Sequence, residues 1–185
     1  MGPWQRRDGG WVAEVTEEQP YEVLRAYPEF EVRRYPDHLV AETEVGGPFE
    51  LAGNVAFPRL ARYIGGRNRS SRKVAMTAPV VQVQDARSRR YVVGFVMPAG
   101  LGADDLPAPS DPDVHLRRVP AETAAALRFS GRWTRRSFEK RCAQLLAALE
   151  DVGLEAAGTP RYARFDPPWT PWFLRRNEVV VPVAA

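Results

Sequence analysis

The hydrophobic positions of the chain follow two different periods, and the change between them marks the predicted elements. From Tyr21, the stretches YEVLRAYPEFEVRRY and HLVAETEV alternate apolar with polar residues and are rich in β-branched and aromatic side chains, which predicts strands. The turn YPDH between them predicts a hairpin. After GGP at residues 46–48 the period becomes helical until the glycines at 65–66, so we expect a first helix there. Its core-facing positions are Phe49, Ala52, Gly53, Ala56, Phe57, Leu60 and Ile64.

The second half of the chain repeats the first with a spacing of 84 residues. VHLRRVPAETAAALRFSG aligns with FEVRRYPDHLVAETEVGG, and Pro182 of VVVP aligns with Pro98 of FVMP at the same spacing. A second helix is predicted over about residues 134–152. There the spacing widens to 88, so KVAMTAPV (residues 73–80) aligns with RYARFDPP. Because each half is short and has short strands, neither is expected to bury a core alone, and the two should pack as one pseudo-symmetric unit.

These patterns predict an α+β fold in a single domain. Residues 1–20 are expected to form a flexible N-terminal leader. Residues 21–183 are expected to form the domain, with repeat halves at about 21–100 and 112–183. KVAMTAPV carries no charge after Lys73, which indicates a central segment that runs beneath the first helix. Pro79 is expected to end the hydrogen-bonded ladder of that segment.

Composition and charge exclude several classes of function. The 26 basic residues are balanced by 23 acidic ones, and the arginines occur as scattered pairs, so a nucleic-acid-binding surface is not expected. No stretch approaches the roughly 18 apolar residues of a membrane span, and the N-terminus lacks the apolar run of a secretory signal. Cys142 shares a helical stripe with Phe138, Leu145 and Leu149, which predicts a buried thiol without a disulfide. We therefore expect a cytoplasmic protein.

Four segments resemble, in order, the signature segments of the SOUL/heme-binding protein family. They are YIGGRN, KVAMTAPV, PAPSDPDV and DPPWTPWFLRRNEVVVPV, and the similarity spans about residues 21–183. AMTAPV and RRNEV are its most specific parts. The resemblance implies a distorted antiparallel barrel-like sheet with two long helices, and kinship with bacterial effector-binding domains. It also implies binding of haem or a related tetrapyrrole in a hydrophobic cleft beside the first helix.

The first helix offers a surface that suits such a ligand. A flat dianionic macrocycle needs an apolar surface for its ring and cations for its two propionates. Opposite its core face, the helix carries a second stripe at spacings i, i+4, i+7 and i+11, formed by Leu51, Val55, Pro58 and Arg62. An apolar stripe that ends in an arginine suits a ring edge with a propionate. The alternatives are a solvated face or a contact with a partner chain.

The resemblance also implies basic residues near the propionates at three positions. In this chain those positions hold Arg62, Asn54 and Thr170, so one of the three cations is kept. The candidates to replace the missing cations are Arg59, Arg175 and Arg176.

Aromatic and histidine side chains are further candidates for ligand contacts. Trp172 either stacks on the ligand as a floor of the pocket or closes the end of the core, and for Trp169 closure of the core is the better interpretation. His38 lies in a region where one branch of the family is thought to supply its iron ligand, so it is a candidate axial ligand. A histidine in a turn such as YPDHL is more often a polar turn residue.

The predicted function is therefore a carrier, buffer or sensor of haem or another porphyrin. The alternative is an effector-type pocket for another small amphipathic or planar ligand, also non-catalytic. An enzyme is not expected, because Glu42, Glu44 and Glu178 lack a nearby histidine, cysteine or metal-type spacing, and a carboxylate on the polar face of a strand is usually solvated. The expected partner is a small planar hydrophobic molecule, with no nucleic acid and no membrane span.

Overall fold

The computed structural model describes residues 16–85 and 88–184 with their side chains, and the backbone of residues 4–7 and 10–13. Within these residues the chain forms thirteen strands and two α-helices. The strands are β1 (Trp4–Arg7), β2 (Gly10–Ala13), β3 (Glu17–Glu18), β4 (Glu22–Ala26), β5 (Glu31–Tyr35), β6 (His38–Val45), β7 (Thr77–Ala78), β8 (Val80–Gln84), β9 (Tyr91–Val96), β10 (His115–Val119), β11 (Glu122–Phe129), β12 (Arg161–Arg164) and β13 (Asn177–Pro182). The helices are α1 (Phe49–Ile64) and α2 (Arg135–Asp151).

Nine of the strands form one curled antiparallel sheet with the shape of a half-barrel. Their order across the sheet is β10-β6-β9-β8-β12-β13-β11-β5-β4. β8 and β12 meet at its centre, where Val80 pairs with Arg164 and Val83 with Arg161. The strands on the two sides of this centre follow equivalent orders, as a duplicated chain requires. The predicted α+β fold with a barrel-like sheet and two helices is confirmed.

The 84-residue spacing holds for the strands before each helix and changes from the start of the helices onward. β5 and β10 begin at residues 31 and 115, and β6 and β11 at residues 38 and 122, so both pairs differ by 84. Val40 of β6 and Ala124 of β11 are equivalent positions, and they pair with Val96 of β9 and Pro182 of β13. The strands β9 and β13 therefore differ by 86 residues. The alignment of Pro98 with Pro182 is therefore wrong by two residues. The loop before α2 is two residues longer than the loop before α1, so the helices already begin 86 residues apart, and the loops after the helices also differ in length.

The segment KVAMTAPV does not form a central strand. Lys73 and Ala75 are exposed, and only residues 77–79 are buried. Residues 77–78 form β7, which pairs in parallel with β3, and Pro79 precedes the next strand instead of ending a long ladder. The segment is apolar because Val74 and Met76 pack against the core as the chain leaves the end of α1.

RYARFDPP is not its equivalent in the second half. Val81 of β8 pairs with Gly94, and Arg161 of β12 pairs with Val180. Gly94 and Val180 are equivalent positions in β9 and β13, because they lie 86 residues apart. Arg161 therefore holds the place of Val81, at a spacing of 80 residues. The predicted alignment at a spacing of 88 is wrong because the loops before β8 and β12 differ in length.

The predicted hairpin at YPDH is also wrong. β5 pairs with β4 and β11, and β6 pairs with β9 and β10, so the strands on either side of YPDH belong to different parts of the sheet. The hairpin lies one turn earlier, between β4 and β5, where the Tyr27 amide donates to the Phe30 carbonyl at 2.8 Å and the two rings stack. The stretch read as one long strand from Tyr21 is thus two strands.

Both helices pack on one face of the sheet and bury the predicted stripes, apart from Phe57 of α1. α1 contacts β6 and β9, and α2 contacts β11 and β13. Phe49 and Phe138 meet at the centre of the core with ring centroids 5.6 Å apart. Cys142 is buried, as its position on the α2 stripe predicts. Within the described residues, neither helix has the length and apolar character needed to cross a bilayer.

The last part of the predicted leader is folded onto the domain. β3 lies within it, Gln19 is buried, and the Glu17 carboxylate accepts a hydrogen bond from the Ala99 amide at 2.8 Å. Earlier in the leader the structure describes only the backbone of β1 and β2, which pair with each other. The expectation of flexibility there falls largely on residues outside the described part of the chain.

Candidate functional site

The outer stripe of α1 lies on the surface. The helix buries its opposite side against the sheet, so Leu51 and Val55 remain 51% and 56% exposed, and Pro58 and Arg62 are exposed with them. These four residues define the α1 flank. Side chains of Leu and Val with more than half of their surface in water leave apolar area available for a ligand or a partner.

Phe57 was predicted in the core but is 43% exposed. It lies at the border of the buried face, where its ring meets the edge of Phe95 at a centroid distance of 5.3 Å. Asn54, one turn earlier, is exposed. The exposed apolar surface of α1 therefore extends beyond the flank to the side where Phe57 lies. Helical spacing alone does not separate a fully buried position from one at the border of the stripe.

The end of the flank borders a cleft with a volume of about 280 Å³. It lies between the last turns of α1, the loop after the helix, and the segment that precedes β10. Its lining residues are Arg59, Arg62, Tyr63, Arg67, Pro109, Ser110 and Asp111. Ligand pockets generally start near 300 Å³, so the cleft is large enough for one edge of a large planar molecule and too small for a whole macrocycle.

The arginines of the cleft differ in their partners. Arg59 lies 3.2 Å from Asp113 and 3.6 Å from Asp111, and it donates to the Thr43 hydroxyl at 2.8 Å. Arg62 and Arg67 have no acidic partner in the part of the chain that the structure describes. The Arg59 charge is thus compensated within the protein, whereas two charges are available to an incoming anion.

Thr170 and Trp172 belong to a different surface. Their loop precedes β13, and the Thr170 carbonyl accepts a hydrogen bond from Arg175 at 2.8 Å. Trp172 is 46% exposed and lies under the Arg132 guanidinium, 5.0 Å from its ring centroid. The loop therefore packs near the start of α2, and neither Thr170 nor Trp172 lines the cleft. The same loop exposes Trp169, Phe173 and Leu174.

His38 lies on the face of the sheet that does not carry α1. Side chains alternate along β6, and Thr43 contacts Arg59 of α1, so His38, five residues earlier, points away from the helix. One ring nitrogen is 3.0 Å from the Pro36 carbonyl, and the other is 3.2 Å from the Gln19 amide. Burial lowers the pKa of His38 below its usual value. The described residues contain no group of His, Cys, Asp and Glu side chains that would hold a metal ion.

Arg164 is a functional candidate that sequence reasoning missed. It is 6% exposed and donates a hydrogen bond to the Gln82 side chain at 2.7 Å. Among the described residues, no carboxylate lies at ion-pair distance from its guanidinium. Burial lowers its pKa to about 10. The guanidinium passes beneath α1 where Gly53 has no side chain, since a Cβ there would overlap it. A glycine within a helix is the one sequence signal of this close approach.

The face opposite the helices is closed by a buried ion pair. Arg33 donates to Glu178 at 2.7 Å, and the cavity beside them measures only about 10 Å³, the volume of one water. Glu178 is 1% exposed, so the expectation that it would be a solvated carboxylate is wrong. Glu42 and Glu44 are paired with Arg117 and Arg90. The Arg33 side chain thus fills most of the space on this face of the sheet.

Comparison with solved structures supports the class of fold that the sheet and helices define. The C-terminal domain of EcmrR superimposes with a TM-score of 0.65 over 89% of this chain and 98% of that chain, at 16% identity. A hydrolase from Listeria innocua superimposes with a TM-score of 0.60 over 87% and 94% of the two chains, at 11% identity. The chain therefore has the two-helix, curled-sheet fold of these proteins.

Sequence comparison identifies the family within that class. The family model for the SOUL heme-binding protein matches residues 16–182. Heme-binding protein 1 of Xenopus tropicalis is 31% identical over 159 residues, which are 81% of each chain. Heme-binding protein 1 of Sus scrofa is 30% identical over 137 residues, which are 71% of each chain. The chain belongs to the SOUL heme-binding protein family, as its four signature segments predict.

Proposed function

We propose that this chain is a non-catalytic cytoplasmic protein that binds haem or another tetrapyrrole on the α1 flank as a carrier, buffer or sensor. The observation that carries the proposal is the geometry of the flank, in which exposed apolar side chains lead to a cleft with two uncompensated arginines. The names of the relatives, Heme-binding protein 1, support the same class of ligand.

The flank matches the two parts of a tetrapyrrole. Leu51, Val55 and Pro58 offer apolar area that gains about 25 cal/mol for each Å² removed from water by the ring. Arg62 lies at the end of this surface, where a propionate at the ring edge would reach it. The proposal includes no axial role for His38, because that side chain points to the opposite face of the sheet and its ring nitrogens already have partners.

The alternative function uses the same flank for another small amphipathic or planar ligand. It is favoured by Asn54 and Thr170, which stand where the family resemblance implies cations. A ligand without carboxylates would not need those charges. The face of the sheet opposite the helices is not part of this proposal, because the cavity beside the Arg33–Glu178 pair measures only about 10 Å³.

Titration with haemin tests the proposal. Haemin added to the purified protein should give a saturable, red-shifted Soret band, whereas a featureless and non-saturating titration would remove haem as the ligand. In the same titration, Leu51→Glu and Val55→Glu should each weaken haemin binding by about tenfold or more, because a charge replaces apolar contact with the ring.

Leu146→Glu on α2 is the matched control. Leu146 is 39% exposed, so the substitution places the same new charge on the surface of the other helix. It should leave haemin affinity within about twofold of wild type. Equal affinities for the α1 and α2 variants would show that the ligand does not bind on the α1 flank.

A further inference from the structure

The loop after α1 concentrates positive charge at the end of the flank. Residues 51–84 contain six basic residues and no Asp or Glu, and four of the six lie in residues 67–73. Such a run is unusual in a chain whose charges otherwise nearly balance, with 26 basic and 23 acidic residues. Cations at the end of a helix interact favourably with its dipole, but that effect is confined to about the last turn and accounts for Arg62 only.

This loop is a built structure that positions Arg67. The Asn68 side chain is buried, and its amide donates to the carbonyls of Tyr63 at 3.0 Å and Arg72 at 2.7 Å. Its oxygen accepts from the Arg72 amide at 3.1 Å. The Arg67 amide donates to the Arg62 carbonyl at 2.9 Å, which holds the backbones of the two arginines together.

The opposite wall of the cleft is attached to the same elements. The Tyr63 hydroxyl donates to the Pro107 carbonyl at 2.9 Å, and the Arg69 amide donates to the Ala108 carbonyl at 3.0 Å. Asp111 on this wall is already paired with Arg59. Because both walls are tied together, the cleft exists before any ligand binds, and its free charge is that of Arg62 and Arg67.

We propose that this cleft is a carboxylate site in which Arg67 acts together with Arg62, so that the protein selects tetrapyrroles with free carboxylates over their esters. This inference rests on the proposed function and deepens it. A planar guanidinium forms paired, charge-assisted hydrogen bonds with the two oxygens of a carboxylate. An ester is neutral, and its alkylated oxygen is a poor hydrogen-bond acceptor. Arg67 thus supplies the second cation that Asn54 and Thr170 do not.

The test compares haemin with haemin dimethyl ester in titrations of the intact protein. Arg67→Gln should weaken haemin binding by about fivefold to tenfold and leave ester binding unchanged, because only the acid form offers carboxylates. Arg62→Gln should behave in the same way. Arg69→Gln is the matched control, since it removes the same charge two residues away in the same loop but from a side chain that does not line the cleft. It should change neither affinity by more than about twofold.

The possible results separate the two proposals. If wild type binds haemin and its ester equally well, or if Arg67→Gln and Arg69→Gln have equal effects, the carboxylate site is overturned and the tetrapyrrole function stands. If the folded wild-type protein binds neither compound, the proposed function fails and the inference fails with it. Circular dichroism of each variant establishes that it is folded, so a loss of binding is not confused with a loss of structure.

Discussion

Two buried arginines show how strongly the role of a residue depends on its partners. Arg33 is 3% exposed and lies between Glu178, Glu31 and the Tyr35 hydroxyl. Burial disfavours its charge, but the interactions with Glu178 and Tyr35 together outweigh this cost, and the pKa of Arg33 lies above its usual value. Arg164 is buried to a similar extent with an amide as its hydrogen-bonded partner, and its pKa is lowered. The first arginine is thus structural, whereas the second retains a charge that the described residues do not compensate.

The neighbouring positions 33 and 34 allow a direct test of the buried pair. Arg33→Met should lower the free energy of unfolding by about 3 kcal/mol, because it leaves a buried carboxylate with fewer partners. Arg34→Met should lower it by less than about 0.5 kcal/mol, since Arg34 and Glu22 are exposed and lie 3.4 Å apart. Urea denaturation of both variants measures the difference. Similar values for the two would show that Glu178 does not depend on Arg33.

At the scale of elements, the loop after α1 depends on one polar side chain. A loop on the surface usually satisfies its backbone with water, but here Asn68 is 6% exposed and bonds to backbone groups of Tyr63 and Arg72. Gly66 has a φ of 104°, a conformation that favours glycine and turns the chain away from the helix. The helix end and the loop therefore form one rigid unit that presents the arginines of the cleft.

Substitution of Asn68 should break this unit. Asn68→Ala removes the side-chain hydrogen bonds to the Tyr63 carbonyl and to the carbonyl and amide of Arg72, so the free energy of unfolding should fall by about 2 kcal/mol. Ser70→Ala, which removes only a 3.5 Å contact with Asn68, should cost less than about 0.5 kcal/mol. Urea denaturation measures both values. A cost for Asn68→Ala no larger than that for Ser70→Ala would contradict the role of Asn68.

At the scale of the whole molecule, the two repeat halves exchange their first strands. β5 pairs with β11 of the second half, and β10 of the second half pairs with β6 of the first. Each half therefore supplies an edge of the other half's sheet. The joint core reinforces this dependence, because Phe49 of α1 and Phe138 of α2 meet within it.

A half of the chain should consequently have no stable monomeric fold. Residues 21–100 produced alone lack β11 beside β5, β10 beside β6, and the surface that covers Phe49, so we expect either an unfolded chain or a self-associated form. Circular dichroism with sedimentation measurements distinguishes these states. Production together with residues 101–183 should restore the folded sheet. A folded monomer of residues 21–100 would contradict the exchange of strands.

Local patterns in the sequence were sufficient for the elements themselves. The helical period of α1 and the cap at Thr134 before α2 come from neighbouring residues, and the structure places both helices within one or two residues of the predicted bounds. Alternation placed β6 correctly for the same reason, and the 84-residue repeat placed β11. It did not say which strands pair, and the hairpin at YPDH was wrong because pairing joins residues far apart in the chain.

In the candidate site, too, local features followed from the sequence and contacts between distant segments did not. The sequence by itself determined that α1 has a second, apolar stripe ending at Arg62, because the faces of a helix follow from residue spacing alone. It also determined membership of the family. Only the tertiary structure decided that Arg62 and Arg67 share a cleft, that Arg59 is compensated by Asp111 and Asp113, and that His38 points to the other face. Those facts depend on how distant segments meet and on which charges find partners, and no local pattern carries that information.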